Sequence, residues 1–421
     1  MLQRGKHLVG ADRGFATGGG LFARLFSGGF HKVLDRIDAG LATGRIDTTL
    51  PDGSFRSLGG RGEGPVAIVH LKSWRSLIRV AASGSVGWYK AWAHDEWASP
   101  DPVPLFQLFM ANAATLGDTA RAKGPWKAVN WLAHRLRANS KVRARRNIAH
   151  HYDLGNDFYA AWLDPGMTYS SAIFAEPVGA EEPLEAAQAR KVHLLLDRLD
   201  LKPGQHLLEI GCGWGGLAEI AARDYGVRVT GLTLSSEQKA YADGRLAGAG
   251  LADRTTIALT DYRDVEGRFD AVASVEMVEA VGEEYWPAYL QSIARVLKPG
   301  GKAALQLISI RDDLFDHYAA NADFIQTYIF PGGMLIGEAK FRALARTAGL
   351  EWRDRAGYAL HYAETLKRWR AQFDEAVAGG RLPLEFDRKF IDLWRYYLLY
   401  CEGGFRGGGI DVAQVTLLKE E

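Results

Sequence analysis

The stretch "HLLEIGCGWGG", His206 to Gly216, constrains the fold more than any other part of the chain. A mostly apolar run ends in Gly211, Gly213 and Gly216, spaced G-x-G-x-x-G. That pattern predicts a buried strand turning tightly into a helix, with backbone free to approach a ligand. After it, strands are predicted at 205–210, 227–231, 255–260, 270–274 and 301–308, alternating with helices near 215–224, 235–248, 285–297 and 337–348. "LKPGG", Leu297 to Gly301, closes a helix and turns into the fifth strand, and "DVAQVTLLK" predicts a last, antiparallel edge strand. The expected fold is α/β: a doubly wound, mostly parallel sheet with its glycine turn where such sheets bind ligands.

The chain of 421 residues is too long for one ordinary domain. Residues 1–120, rich in glycine and short apolar runs, predict a smaller α+β domain. Its tryptophans, Trp74, Trp88, Trp92 and Trp97, suit either core packing or the lining of a lipid groove. Residues 121–147 form a basic link. Between Asp118 and Asp153 there is no acidic residue, while Arg121, Lys123, Lys127, Arg135, Arg137, Lys141, Arg143, Arg145 and Arg146 all fall there. A basic amphipathic helix fits, either as a solvated connector or as a contact for an anionic surface. Residues 148–421 form the ligand-binding domain. No apolar run is long enough for a membrane span, the amino end lacks a signal-peptide core, and Cys212 and Cys401 cannot build a disulfide framework, so a cytoplasmic location is expected.

Charge selects the cofactor. Glu209 stands two residues before the first glycine, where it would repel a dinucleotide's pyrophosphate and attract the sulfonium and ammonium of S-adenosylmethionine (AdoMet). At roughly 4 to 8 Å and an effective dielectric near 20 the difference is of order a few kcal/mol. The acid that a dinucleotide's ribose requires after the second strand is missing; Thr233 and Gln238 stand there instead. Asp261 and Tyr262 in "DYRD" are placed for the adenine end. Nucleic-acid substrates are disfavoured: there is no Asp/Asn-Pro-Pro-aromatic loop for a flipped base, and neither cysteine follows a proline.

"IAHHYDLGNDFYAAWLDPGMTYSSAIF" (148–174), "LLEIGCGWGG", "GLTLSSEQKAYA", "SVEMVEAVGEEYW" (274–286), "FIQTYIFPGGML" (324–335), "HYAETLKRW" (361–369) and "YCEGGFRGGGIDVAQVTL" (400–417) together resemble the cyclopropane-fatty-acyl-phospholipid synthases. The resemblance implies a class I methyltransferase-like fold, an amino-terminal lipid-binding domain, and a lid insertion at about 312–336. It implies transfer of a methyl group from AdoMet to a cis double bond of a phospholipid acyl chain, with ring closure to a cyclopropane. The cation formed on the way would be faced by Tyr169, Tyr328, Phe330 or Tyr362, whose other reading is core packing. In the family, bicarbonate is the base; Glu279, Tyr362 and the backbone of Ile308 match its binding positions. Tyr169, Ser170, Gly211, Gly213, Thr233, Gln238 and Tyr262 match positions around AdoMet. The expected partners are unsaturated phospholipid at the inner face of the cell membrane, bound peripherally, and a second copy of the chain.

Three positions depart from the family: Ser171 replaces a cysteine, Ala280 follows Glu279 in place of a histidine, and Gln306 replaces the histidine of the bicarbonate pocket. Gln306 can donate an N–H to an anion but brings no charge and cannot shuttle a proton. The same cation could then lose its proton after a hydride shift, leaving a methylene branch that reduction would convert to a methyl branch. Methylation of a small-molecule amine and a catalytically silent lipid-binding protein are the remaining alternatives.

Overall fold

The computed structural model describes residues 27–117, 154–321 and 323–420, which divide into two compact units. The first gathers residues up to 117 with 313–331 and 384–410; the second gathers residues from 154 to 312 with 332–383 and 411–420. The division is therefore not the linear one expected from the sequence. The basic link at 121–147 lies outside the described residues.

In the first unit four strands pair in the order β2-β1-β3-β4: β1 (Arg45–Thr49), β2 (Phe55–Gly59), β3 (Val66–Leu71) and β4 (Trp97–Ala98). β1 runs antiparallel to β2 and parallel to β3. The alternation in β3 buries Ala67, Val69 and Leu71 and exposes the residues between them, as a sheet covered on one face requires. Trp88, on the helix Arg75–Ala93, stacks on Trp97 at 4.4 Å and accepts a hydrogen bond at its carbonyl from the Trp97 indole. These two tryptophans are core. Of the segment 312–336 expected as a lid, residues 313–331 belong to this unit: the Phe324 N–H donates to Ser85 Oγ, and its ring packs 5.0 Å from Tyr89 and 4.8 Å from Tyr396.

In the second unit the strand order is β11-β12-β9-β8-β5-β6-β7, with the short β10 (Ile336–Gly337) also paired to β9. The strands are β5 (His206–Ile210), β6 (Arg228–Thr233), β7 (Thr255–Leu259), β8 (Phe269–Val275), β9 (Leu297–Ile310), β11 (Leu350–Gly357) and β12 (Ile410–Lys419). The β7-β6, β6-β5, β5-β8 and β8-β9 pairs are all parallel, and β11-β12 is antiparallel. The order reverses at β5, which opens a crevice at its carboxyl end. The helices Gly216–Asp224 and Ser236–Gly248 bury Ala218, Ala221, Ala222, Ala242 and Leu246 in a core with Leu207, Val229 and Ala271.

Two expectations need correction. β12 is an interior strand; the edge is β11, "LEWRDRAG", whose charged, mostly exposed residues hid it in the sequence and are what an edge strand carries against unwanted pairing. "LKPGG" already belongs to β9, where a register shift against β8 between Phe269 and Ala271 absorbs it as a bulge.

Within the first unit the helix Arg388–Arg406 approaches the helix Val103–Ala111 through a glycine: a Cβ on Gly403 would lie 2.4 Å from Phe106 Cβ. Gly403→Ala should therefore lower the unfolding free energy by about 1–3 kcal/mol through overpacking. Thermal denaturation checks this, and an unchanged midpoint would contradict the close approach.

Candidate active site

A cavity of about 350 Å³ opens at the carboxyl ends of β5, β6 and β8. All nine residues assigned to the cofactor from sequence line it: Tyr169, Ser170, Glu209, Gly211, Gly213, Thr233, Gln238, Asp261 and Tyr262. Gly211 adopts φ 84°, and a Cβ there would lie 2.9 Å from Met277 Cγ, so glycine is required for both conformation and space.

Glu209, the penultimate residue of β5, is 4% exposed. Burial pushes its carboxyl up to about 8, against the lowering effect of Lys191, and its Oε2 has no protein partner. Thr233 Oγ1 donates to Gln238 Oε1 at 2.8 Å, which leaves the buried Gln238 Nε2 unpartnered. These two orphaned polar atoms, a carboxylate oxygen on β5 and an amide donor on the helix Ser236–Gly248, fit a ligand carrying both positive charge and acceptors. Asp261 takes a bidentate pair from Arg263, at 2.8 and 2.6 Å, and the guanidinium lies 5.3 Å over the Tyr262 ring. The pair fixes the loop after β7 and leaves Asp261 at the cavity wall as part of an ion pair.

The residues assigned to catalysis gather in an adjoining cluster, centred on one that the sequence reading passed over. Glu276 Oε1 accepts from the Ser171 N–H and from Gln306 Nε2, both at 2.8 Å, and its Oε2 accepts from the Tyr362 hydroxyl at 2.8 Å. Gln306 is fixed further by donating to the Ser171 carbonyl at 3.2 Å and by accepting from Gln414 Nε2 at 3.1 Å. The Ile308 N–H donates to Glu279 Oε1, while Glu279 Oε2 is buried without a partner. Burial, with the charge of Glu276 adding to it, raises the Glu279 carboxyl to about 8.

Ser171 contributes differently from expectation: its backbone N–H holds Glu276, while its hydroxyl donates to the Ala172 carbonyl. Bicarbonate does not fit this arrangement. The donors of Ser171, Gln306 and Tyr362 are taken by the carboxylate of Glu276, that of Ile308 by Glu279, and a further anion would meet the acidic side chains of both.

Glu276 also has φ 47°, the left-handed region, where a residue with a Cβ is strained. Its signal in the sequence was an acid directly after the strand that neighbours the glycine strand. The second residue passed over is Lys191, 1% exposed, whose Nζ donates to Ser170 Oγ at 2.6 Å. Its signal was a lysine at the helical spacing of the buried Leu184, Gln188 and Leu195. Of the four aromatic candidates, Tyr169 packs beside Trp369 at 5.3 Å and Tyr362 lies 6.1 Å from the same ring. Tyr328 and Phe330 belong to the first unit, where Tyr328 packs on Tyr89.

Residues 139–415 match the family described as mycolic acid cyclopropane synthetase. The chain belongs to this family. It is 40% identical to the tuberculostearic acid methyltransferase of Mycobacterium tuberculosis over 81% of each chain. It is 34% identical to the cyclopropane-fatty-acyl-phospholipid synthase of Escherichia coli, over 83% of this chain and 87% of that one. The crystal structure of mycolic acid cyclopropane synthase CmaA1 complexed with SAH and CTAB superposes with a TM-score of 0.60 at 30% identity, covering 65% of this chain and 98% of that one. As a member of the family the chain has the class I methyltransferase fold and is an AdoMet-dependent methyltransferase.

Glu209→Gln should weaken AdoMet binding by about tenfold to a hundredfold, the loss of a buried counter-charge. In the wild type the affinity should rise as pH climbs through about 8, where Glu209 ionises, and the variant should lose that rise. Calorimetric titration across pH checks both; an unaltered affinity would remove Glu209 from the cofactor site.

Proposed function

We propose that this methyltransferase acts on the cis double bond of an unsaturated acyl chain in membrane phospholipid, with Glu276 as the base that takes the proton. AdoMet, when bound, supplies the electrophilic methyl group. An alkene is a weak nucleophile, so the acyl chain must be held in line in a dry site. Methyl addition leaves a carbocation on the chain, and loss of a proton from the new methyl closes the cyclopropane ring. The base must accept that proton without trapping the cation. The carboxylate of Glu276, with three of its roughly four lone-pair sites already accepting, has one position left for a proton. Burial raises its carboxyl above the ordinary range, against the lowering effect of Lys191 and its own donors, which favours proton uptake. Tyr169 and Tyr362 supply aromatic faces for the cation. This fixed carboxylate is the observation that carries the reading.

A second product is favoured by Gln306 in place of an imidazole and by the 40% identity to a tuberculostearic acid methyltransferase. If a hydride shift precedes proton loss, the same base leaves a methylene branch for a separate reductase. The reading places the enzyme at the inner face of the cell membrane, bound peripherally, with 121–147 as the basic contact. It accords with the described residues, among which no helix is long and apolar enough to cross a membrane.

Purified protein incubated with methyl-labelled AdoMet and vesicles of unsaturated phospholipid should transfer label to the acyl chains. Ozonolysis then separates the isomers, since it cleaves a methylene branch and spares a cyclopropane. Glu276→Gln should slow the transfer by about 10²- to 10⁴-fold while AdoMet affinity changes only a few-fold. Absence of label from the wild-type lipid, or full activity in the variant, would overturn the reading.

A further inference from the structure

Lys191 is the one buried ammonium among the described residues that line the cavity. A lysine there is costly unless opposite charge surrounds it. Here the opposing groups come from separate elements that meet at the cavity wall: Asp164 from the loop before Tyr169, Glu209 from β5 and Glu276 from the end of β8. Asp164 is 3% exposed and already accepts from the Gly166 and Thr168 N–H groups, so it also shapes the loop. Arg245 acts on Glu209 from the helix Ser236–Gly248, and Glu279 stands as a second carboxyl group beside Glu276. The hydroxyl of Ser170 holds the ammonium at 2.6 Å, and the Lys191 carbonyl accepts from Gln414 Nε2, the amide that also steadies Gln306.

We propose that Lys191 is a positioning residue for both halves of the reaction: its ammonium favours the charged form of Glu209, which receives the cofactor, and of Glu276, which receives the substrate proton. One lysine then sets the pH threshold of both events. The second half rests on the function proposed above; the first does not. Burial pushes the lysine down to about 8, so it remains charged at neutral pH. For both Glu209 and Glu276 burial raises the carboxyl, and the charge of Lys191 is the foremost influence opposing it. The sign follows: without the ammonium both carboxylates protonate at higher pH.

The test is Lys191→Met in the full chain, with AdoMet binding by calorimetry and transfer of label to lipid each measured across pH. The acid limbs of both profiles should move up by about one pH unit, so that on the acid side of its own limb binding is about tenfold weaker and turnover about tenfold slower, with the differences closing at alkaline pH. Loss at every pH with unmoved limbs, the outcome of a purely structural role, would overturn the proposal, as would movement of the turnover limb alone. Should the methionine variant not fold, Ser170→Ala, which frees the ammonium from its hydroxyl, should move both limbs upward by a smaller amount, and unmoved limbs there would overturn it. If wild-type protein places no label in lipid, the function proposed above fails, and the binding limb alone decides for or against Lys191.

Discussion

Glu276 is held in a place that costs free energy twice, once for a left-handed backbone on a residue with a Cβ and once for the desolvation of its carboxylate. What offsets this is a set of donors that no local sequence joins: a backbone N–H from the loop at Ser171, an amide from β9 at Gln306 and a phenol from the helix Ala359–Ala378 at Tyr362. The sheet brings them together. β8 and β9 are parallel neighbours with Val275 opposite Gln306, and the Glu276 N–H donates to the Gln306 carbonyl at 2.8 Å, so backbone pairing sets the side-chain pairing beyond it. Strain and burial concentrated at one residue, with the surroundings specifying it from several sides, is the pattern of a group kept for chemistry.

The same sheet places Glu209 on the adjacent strand, and the two carboxylates divide the work. One faces the glycine turn, where backbone can approach closely and an unpartnered oxygen remains; the other is fixed by donors beside it. Glu209, Glu276 and Asp164 line the cavity, opposed at its wall by Lys191 and Arg245, and an ionised Glu209 suits a cationic sulfonium donor and repels pyrophosphate. On the function proposed here, one carboxylate serves the donor and the other the proton that the donor's chemistry releases.

The cofactor half was legible because its residues are local: G-x-G-x-x-G after a strand, a carboxylate two positions earlier, and short motifs at the ends of successive strands. Periodicity likewise located β5 to β9 and their helices. The catalytic half was legible in membership but not in connection. Glu279, Ser171, Gln306, Ile308 and Tyr362 were singled out, yet Glu276, the common centre of Ser171, Gln306 and Tyr362, sits three residues from the glutamate that drew attention, and only the pairing of β8 with β9 shows that it takes those donors. Lys191 was hidden by the habit of reading a lysine as solvent-facing, and β11 by charges that suit an edge. The return of 313–331 and 384–410 to the first unit reflects contacts far apart in the chain, such as Phe324 with Ser85, which no periodicity encodes.

The central claim is that a carboxylate of the chain itself occupies the donors that a bicarbonate base would need. Turnover measured in carbonate-depleted buffer and again with bicarbonate restored tests it most directly. The account predicts equal rates, because Ser171, Gln306 and Tyr362 already serve Glu276; a rate that depends on added bicarbonate would contradict it.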